Sequence, residues 1–166
     1  MSLDDSQEED CTVYIEELKS DNPTLKVNAA SKLSVIAGVL GHNRIRDELV
    51  PYLIEIIEQM DNENEFLIKI AEGLQELKSF CKEPSQCYIL LPPLRILASL
   101  DQPSVREKAV ESILNMSEDL DSKFYSEYIY PMIVDMSDKK KPYSPRVSSC
   151  MMIPSCYPHV GEKEKG

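Results

Sequence analysis

The sequence predicts an all-α protein, an α-solenoid in which about four helical hairpins stack into a superhelix. The main observation is a repeat of about forty residues, marked by an aspartate in a polar break between two apolar stretches. These aspartates are Asp21, Asp61, Asp101 and Asp138. An apolar residue recurs beyond each break, at Leu33, Leu74, Ile113 and Ile153. Prolines mark the start of the later copies, at Pro51, Pro92 and Pro131. One hairpin cannot bury its apolar face alone, so the copies must stack.

The first hairpin is expected over residues 11–46. Apolar residues three or four apart predict a helix from Thr12 to Lys19. The polar run from Ser20 to Pro23 ends it and supplies good N-caps for the next helix. That second helix is expected to run from Leu25 to Ala37 and to end at Gly38 and Gly41.

The second and third hairpins are expected over residues 47–87 and 88–125. The second begins at Glu48 or Leu49, because Pro51 fits the first turn of a helix, where a missing N–H costs least. Its break covers residues 61–65. The third begins near Tyr88 and breaks at residues 101–103.

The fourth hairpin is expected over residues 126–160, with a break at residues 138–145. Pro154 and Pro158 predict that its last helix is kinked or stops early. Residues 1–10 are expected to form a flexible acidic N-terminus, and residues 161–166 a truncated or disordered tail. Since no capping helix follows, we expect the N-terminal piece of a longer solenoid; a natural four-repeat protein with a frayed end is the alternative.

The composition excludes several classes of protein. A net charge of −11 over 166 residues disfavours nucleic acid and anionic membranes as primary partners, since both attract basic surfaces. No apolar run approaches the roughly 18 residues of a membrane-spanning helix. The start of the chain lacks the features of a signal peptide. Five cysteines without a Cys-x-x-Cys spacing favour a reduced, intracellular protein. We expect a cytoplasmic protein, with the nucleus as a second compartment.

Residues for catalysis or metal binding are not evident. The chain has two histidines, far apart, and neither a nucleophile elbow nor a phosphate-binding loop. Cys81 and Cys87 flank an inter-repeat turn, but a zinc site needs two further ligands nearby, so ordinary part-buried thiols are favoured. We therefore predict no enzyme, no cofactor and no metal.

Details of the copies match the HEAT pattern, an armadillo-like repeat. A proline enters the first helix, an aspartate lies in the turn, and a basic residue opens the second helix in two copies. Asp21 with Lys26, and Asp101 with Arg106, show this arrangement. A cation here can bond turn carbonyls and the aspartate, which would tie adjacent turns into a ladder along the stack. We expect a structural role for Lys26 and Arg106.

Beyond this general pattern, the chain resembles the scaffold (A, or constant regulatory) subunits of type 2A serine/threonine protein phosphatase. The resemblance covers residues 12–160 in order and spacing. The stretches that carry it are Ile15–Leu18, Asn28–Ala37, Arg46–Pro51, Leu90–Leu94, Val105–Ser112 and Ser155–Pro158. It implies a horseshoe scaffold whose N-terminal repeats bind an exchangeable regulatory B-type subunit, while its C-terminal repeats bind the catalytic subunit. This chain would carry part of the first site and none of the second.

The turns inside the hairpins are the predicted partner-binding site, because successive turns of a stack line one ridge. The predicted contact residues are Asp21, Asn22, Asn62, Glu63, Asp101, Gln102, Tyr143 and Arg146. Three turns are acidic or polar and the fourth is basic. Tyr143 is the expected anchor, since tyrosine is enriched at binding hot spots. The family has two adjacent aromatic residues in the fourth turn. In this chain Pro142 and Tyr143 align with them, so only the second position is aromatic. The alternative is that all these are solvated turns, rich in Asp, Asn and Pro for conformational reasons.

The sequence thus predicts a non-catalytic scaffold fragment that helps assemble a protein phosphatase 2A holoenzyme by binding a regulatory B-type subunit. One alternative is a HEAT-repeat adaptor or transport-type protein with other partners. A HEAT-like enzyme or nucleic-acid binder with a basic concave groove is disfavoured by the net charge and by the missing catalytic clusters.

Overall fold

The computed structural model describes residues 5–60, 62–163 and 165, and these fold as an all-α solenoid of four stacked helical hairpins, without a strand among them. The predicted fold class is confirmed. The helices are α1 (Asp5–Glu17), α2 (Pro23–Ala30), α3 (Leu33–Arg44), α4 (Val50–Gln59), α5 (Asn64–Glu76), α6 (Leu91–Leu97), α7 (Pro103–Ser117), α8 (Ser122–Phe124), α9 (Tyr130–Ser137) and α10 (Tyr143–Cys156). Short π-helical turns cover Ile45–Leu49 and Tyr125–Ile129, and 3₁₀ turns cover Leu77–Phe80, Pro84–Leu90 and Tyr157–His159.

The second helices of the hairpins form one continuous layer. Helices α2 and α3 contact α5, α5 contacts α7, and α7 contacts α10. The repeated apolar residues Leu33, Leu74 and Ile113 are all fully buried in this layer. Their expected counterpart Ile153 is 45% exposed, and its neighbour Met152 is buried instead. The register of the fourth hairpin is therefore one residue away from the predicted one.

The chain begins with a longer helix than expected. Residues 5–10, expected to be flexible, belong to α1, and residues 1–4 lie outside the described part. Cys11 is 4% exposed, and the Thr12 hydroxyl donates to the Glu8 carbonyl at 3.1 Å. The phenol of Tyr52 on α4 donates to the Ile15 carbonyl at 2.9 Å, which ties the first hairpin to the second.

The linkers between hairpins lie earlier than predicted. Helix α3 continues through Gly38, and the helical geometry breaks at Gly41, with φ 74° and ψ 167°, a conformation that glycine adopts readily. A π-helical turn then precedes Pro51, because proline lacks an N–H and its ring clashes with the carbonyl four residues back. The same turn precedes Pro131. Pro51 and Pro131 lie in the first turns of α4 and α9, as the sequence predicts for Pro51, and the π-helical turns extend the helical conformation back to Ile45 and Tyr125.

Two further helix features differ from the predictions. The second helix of the first hairpin is divided between Ala30 and Leu33, where the Ser31 hydroxyl donates to the Asn28 carbonyl at 2.6 Å. Helix α10 passes through Pro154 and ends at Cys156, so of the two predicted outcomes, a kink or an early stop, the early stop does not occur.

Helices α3 and α5 approach each other closely at Gly73. A Cβ atom at this position would lie 2.6 Å from Leu33 Cδ1 and 3.1 Å from both Leu33 Cβ and Cγ. The absence of a side chain on Gly73 therefore allows the first and second hairpins to reach their observed separation.

Candidate functional site

The intra-hairpin turns, with the exposed residues that open the last helix, lie along one edge of the stack; we call them the turn row, and they comprise residues 18–22, 60 and 62–63, 98–102, and 138–143 with Arg146. Three contacts show that the second helices run side by side in the same direction. Lys26 near the start of α2 bonds Glu63 just before α5, at 2.8 Å. Asn115 late in α7 meets Gln75 late in α5, at 3.5 Å. Ser144 at the start of α10 bonds Asp101, just before α7.

The first turn presents Asp21 and Asn22, both exposed. Asn22 is the N-cap of α2, and its Oδ1 accepts from the backbone N–H of Thr24 at 3.0 Å and of Leu25 at 3.4 Å. Its own N–H donates to the Ser20 hydroxyl at 3.1 Å. Asn22 therefore has a conformational role, whereas Asp21 lies exposed beside the cap.

In the second turn, Asn62 is exposed and has φ 64°, a left-handed conformation that asparagine tolerates. Asp61, one of the four repeat-marking aspartates, lies outside the described residues. Both carboxylate oxygens of Glu63 accept from Lys26 Nζ, at 2.8 and 2.9 Å. Only 7% of the Lys26 side chain is exposed, so Glu63 compensates a buried cation.

The third turn combines Asp101, which is exposed, with the half-buried Gln102. Asp101 Oδ1 accepts from the Ser144 hydroxyl at 2.6 Å. Arg106 Nη1 donates to the carbonyls of Leu100 at 3.1 Å and Asp101 at 3.3 Å. The structural role expected for Lys26 and Arg106 thus takes two forms: Lys26 reaches the next turn, whereas Arg106 closes its own.

The fourth turn carries the basic charge and the exposed aromatic. Lys139 and Lys140 are exposed, and Lys141 Nζ lies 3.3 Å from Asp135 Oδ2. Tyr143, the first residue of α10, is 75% exposed, and Arg146 is exposed one turn further on. This turn therefore offers positive charge beside a largely uncovered aromatic ring.

The structure adds an apolar extension of this turn that sequence reasoning missed. A shallow cavity of about 500 Å³ is lined by Tyr143, Arg146, Val147, Cys150 and Met151, among others. Met151 is 41% exposed. Tyr143, Val147 and Met151 are spaced by four residues and so share one face of α10, a periodicity that could have identified them.

Other kinds of site find little support. Among residues 5–60, 62–163 and 165, no three His, Cys, Asp or Glu side chains converge on a possible metal position. No helix in the same residues is both long and apolar enough to cross a bilayer. The turn row brings the predicted residues of each turn together along one edge of the stack.

Comparison with known proteins places the chain beside phosphatase scaffold proteins, although no family model matches it. It is 34% identical over 153 residues to the protein phosphatase 2A scaffold subunit of Dictyostelium discoideum, covering 92% of this chain and 26% of that protein. It is 33% identical to the beta isoform of the human 65 kDa regulatory subunit (type A) of serine/threonine-protein phosphatase 2A, covering 92% and 25%. Against the Saccharomyces cerevisiae regulatory subunit (type A) of protein phosphatase PP2A, identity is 37% over 144 residues, covering 86% and 22%. The chain spans about a quarter of the length of these curated relatives.

Proposed function

Because this chain is homologous over 92% of its length to scaffold subunits of protein phosphatase 2A, we propose that it is a scaffold segment whose turn row binds a regulatory B-type subunit of that phosphatase. The relatives are named scaffold or regulatory subunits rather than catalytic ones, which agrees with the prediction of a protein that is not an enzyme. The resemblance seen in the sequence is confirmed by the same relatives.

The observation that carries the regulatory-subunit proposal is the exposure of Tyr143 at the fourth turn. Its side chain is 75% exposed at the edge of an apolar cavity and lies one helical turn from Arg146. A large ring held at the start of a helix loses little conformational entropy on binding, and tyrosine and arginine dominate binding hot spots. Tyr143 is therefore the anchor, and Arg146 and the lysines beside it favour an acidic patch on the partner.

The other turns contribute polar contacts of two kinds. A partner can contact Asp21, Asn62 and Gln102 without disturbing the Lys26–Glu63 or Ser144–Asp101 bond between hairpins. Glu63 and Asp101 are already bonded to Lys26 and Ser144, so a partner would meet carboxylates that the stack itself orients. The partner thus binds one long ridge that changes from acidic to basic along its length.

In this proposal the catalytic subunit binds to further repeats of the scaffold and not to the part represented here. The compartment is the cytoplasm, with a nuclear pool. Regulation results from geometry, because the scaffold holds the substrate-selecting subunit in a fixed position relative to the catalytic one.

The test is a calorimetric titration of the chain with a purified regulatory B-type subunit. Tyr143→Ala should weaken binding about tenfold to thirtyfold, as expected for loss of a hot spot worth about 1.4–2 kcal/mol. Tyr157→Ala is the matched control, since Tyr157 is 54% exposed but lies at the opposite end of α10. Thermal unfolding of both variants checks that the fold is intact.

Gln102→Ala is a better probe of the third turn than Asp101→Ala, because the latter also removes the acceptor of the Ser144 hydroxyl. Equal affinities of the chain and its Tyr143→Ala variant would refute the anchor assignment. A chain that binds no B-type subunit, but retains a different protein from cell extract, would favour the adaptor alternative.

A further inference from the structure

The first helices of the third and fourth hairpins are separated by a groove. Helix α4 packs directly against α6, whereas the backbones of α6 and α9 stand farther apart. The space between them has a volume of about 540 Å³, within the range of about 300–1,000 Å³ that is usual for ligand pockets. We call it the tyrosine groove; its lining includes Tyr88, Pro92 and Arg95 on one side and Glu127, Tyr128 and Pro131 on the other.

Two helical faces run along this groove. Tyr88, Pro92 and Arg95 follow each other at spacings of four and three residues, which places them on one face of a helix. From Tyr88 to Arg95 the groove extends about 10 Å, at a rise of about 1.5 Å per residue. A segment in the polyproline II conformation rises about 3.1 Å per residue, so about four of its residues would cover this length.

A pair of tyrosines forms an aromatic surface at one end of the groove. The rings of Tyr88 and Tyr128 are stacked, with their centroids 5.1 Å apart and their planes 11° from parallel. The buried Phe124 ring packs against Tyr128 at 5.0 Å and supports it from behind. Tyr88 is 42% exposed, and no hydrogen bond joins either phenol hydroxyl to another described residue. Both hydroxyls can therefore donate to a ligand that lies on the rings.

The remaining polar groups of the groove suit a ligand that has acceptors but few donors. Pro92 and Pro131 are exposed in the first turns of α6 and α9, where they offer ring surface and no N–H. Arg95 Nη2 donates to the Asp135 carboxylate, and no other described residue accepts from Arg95 Nε or Nη1. Consecutive prolines lack N–H groups and leave their carbonyl oxygens unpaired, so they match a groove lined by rings and donors.

One carboxylate at the rim adds a preference for positive charge. Glu127 is exposed, and its Oε1 lies 3.8 Å from Lys123 Nζ. Both side chains of this pair are largely in solvent, so the contact is worth little and does not prevent Glu127 from binding another cation. A ligand with an arginine or lysine beside its prolines would place that charge against Glu127.

We propose that the tyrosine groove binds a proline-rich segment of another protein, held in the polyproline II conformation with a basic residue paired to Glu127. Such segments are already extended and rigid, so they lose little entropy on binding, and the grooves that bind them are lined by aromatic side chains. The tyrosine groove contains none of the turn-row residues, and the proposal does not depend on the proposed phosphatase function.

The experiment follows the methionine methyl resonances of the intact chain, labelled with carbon-13, during titration with peptides. Met132 lines the groove, whereas Met60 lies beside Lys26 and Met116 is buried in α7. The probes are Ala-Pro-Pro-Leu-Pro-Pro-Arg and its reversed sequence, because a polyproline II segment can bind in either direction. At least one probe should shift the Met132 resonance and saturate it below about 1 mM, while the Met60 and Met116 resonances stay in place. A Met132→Leu variant assigns the resonance.

Variants then test the chemistry of the groove. Tyr88→Ala should weaken binding about fivefold or more, whereas Tyr157→Ala, an exposed tyrosine outside the groove, should have no effect. Tyr88→Phe keeps the stacked rings but removes the hydroxyl, so binding should weaken about twofold to tenfold. Glu127→Gln should weaken binding of the arginine-containing probe about twofold to fivefold, and should not affect a probe with alanine in place of arginine. Thermal unfolding of each variant checks that the fold is intact.

Three results would overturn the proposal. The first is a Met132 resonance that neither probe moves at about 1 mM peptide. The second is an equal shift with Ala-Ala-Ala-Leu-Ala-Ala-Arg, because the groove would then accept an apolar chain without regard to proline. The third is equal affinity of the original chain and a folded Tyr88→Ala variant, which would exclude the aromatic surface as the binding element.

Discussion

Two glycines in second helices provide opposite tests of the packing described here. Gly73 lies within α5 and faces Leu33 of the preceding hairpin, whereas Gly38 lies within α3, where an added Cβ would meet only Phe80 Cε1, at 3.7 Å. Replacing either by alanine raises helix propensity by about 0.5–1 kcal/mol. The two substitutions therefore share their intrinsic gain and differ in the space available.

At Gly73 the new methyl group would overlap Leu33. Rotation of the Leu33 side chain can move its Cδ1, now 2.6 Å away, but cannot move its Cβ, which would be 3.1 Å away. Relief then requires α3 and α5 to separate slightly, and overpacking of this kind costs about 1–3 kcal/mol. After subtraction of the propensity gain, Gly73→Ala should destabilise the protein by about 1 kcal/mol, and Gly38→Ala should stabilise it by about 0.5–1 kcal/mol.

Urea denaturation followed by circular dichroism measures both values, with the slope of the transition checking that cooperativity is unchanged. Thermal midpoints should shift in opposite directions, down by about 2–4 °C for Gly73→Ala. If Gly73→Ala stabilised the protein as much as Gly38→Ala does, the close approach of α3 and α5 could not be the reason for the glycine in α5.

Two further predictions concern polar groups that tie the hairpins together. Glu63→Ala should destabilise the chain by about 1–3 kcal/mol, because it leaves the buried Lys26 ammonium without its carboxylate. Lys26→Met should be nearly neutral, since the partly exposed Glu63 carboxylate regains water. Chemical denaturation measures both free energies of unfolding, and equal losses in the two variants would contradict this difference. Burial raises the pKa of the Tyr52 phenol in the folded protein. The phenol therefore contributes fully to stability below its unfolded pKa of about 10, and this contribution is lost as the pH rises through its higher folded pKa. Tyr52→Phe should cost about 1 kcal/mol at neutral pH and reduce the fall in unfolding free energy above pH of about 10, whereas an unchanged alkaline profile would exclude Tyr52 as its source.

The sequence was sufficient to predict the hairpins and the positions of their inner turns. Apolar spacing of three or four residues and the Asp, Asn and Pro residues of the breaks are local signals, and local signals determine where a helix can start. Asn22 illustrates this, since its cap on α2 involves residues only two and three positions away. The start at Glu48 or Leu49, with Pro51 in the first turn of the helix, was predicted from proline chemistry, but the π-helical turns that precede Pro51 and Pro131 have no comparable local signal in the sequence.

Contacts between hairpins were not predictable in the same way. Lys26 could bond an aspartate of its own turn or reach Glu63 in the next turn, and the distance between the hairpins decides between the two. That distance depends on the close approach of Gly73 to Leu33, two residues that lie forty positions apart in the sequence. The link between Ser144 and Asp101 likewise joins residues of different copies. The predicted partner contacts at Glu63 and Asp101 are therefore also structural residues, which only the structure reveals.

The uneven charge along the turn row would affect the rate at which a complex forms. In a chain of net charge −11, the lysines of the fourth turn concentrate positive potential at one end of the ridge. An approaching protein with an acidic patch would be rotated into alignment while still separated by solvent, with that end arriving first. Added salt would shorten the reach of this field, so docking would become slower, while the lifetime of the finished complex, held by short-range burial of the tyrosine, would change little.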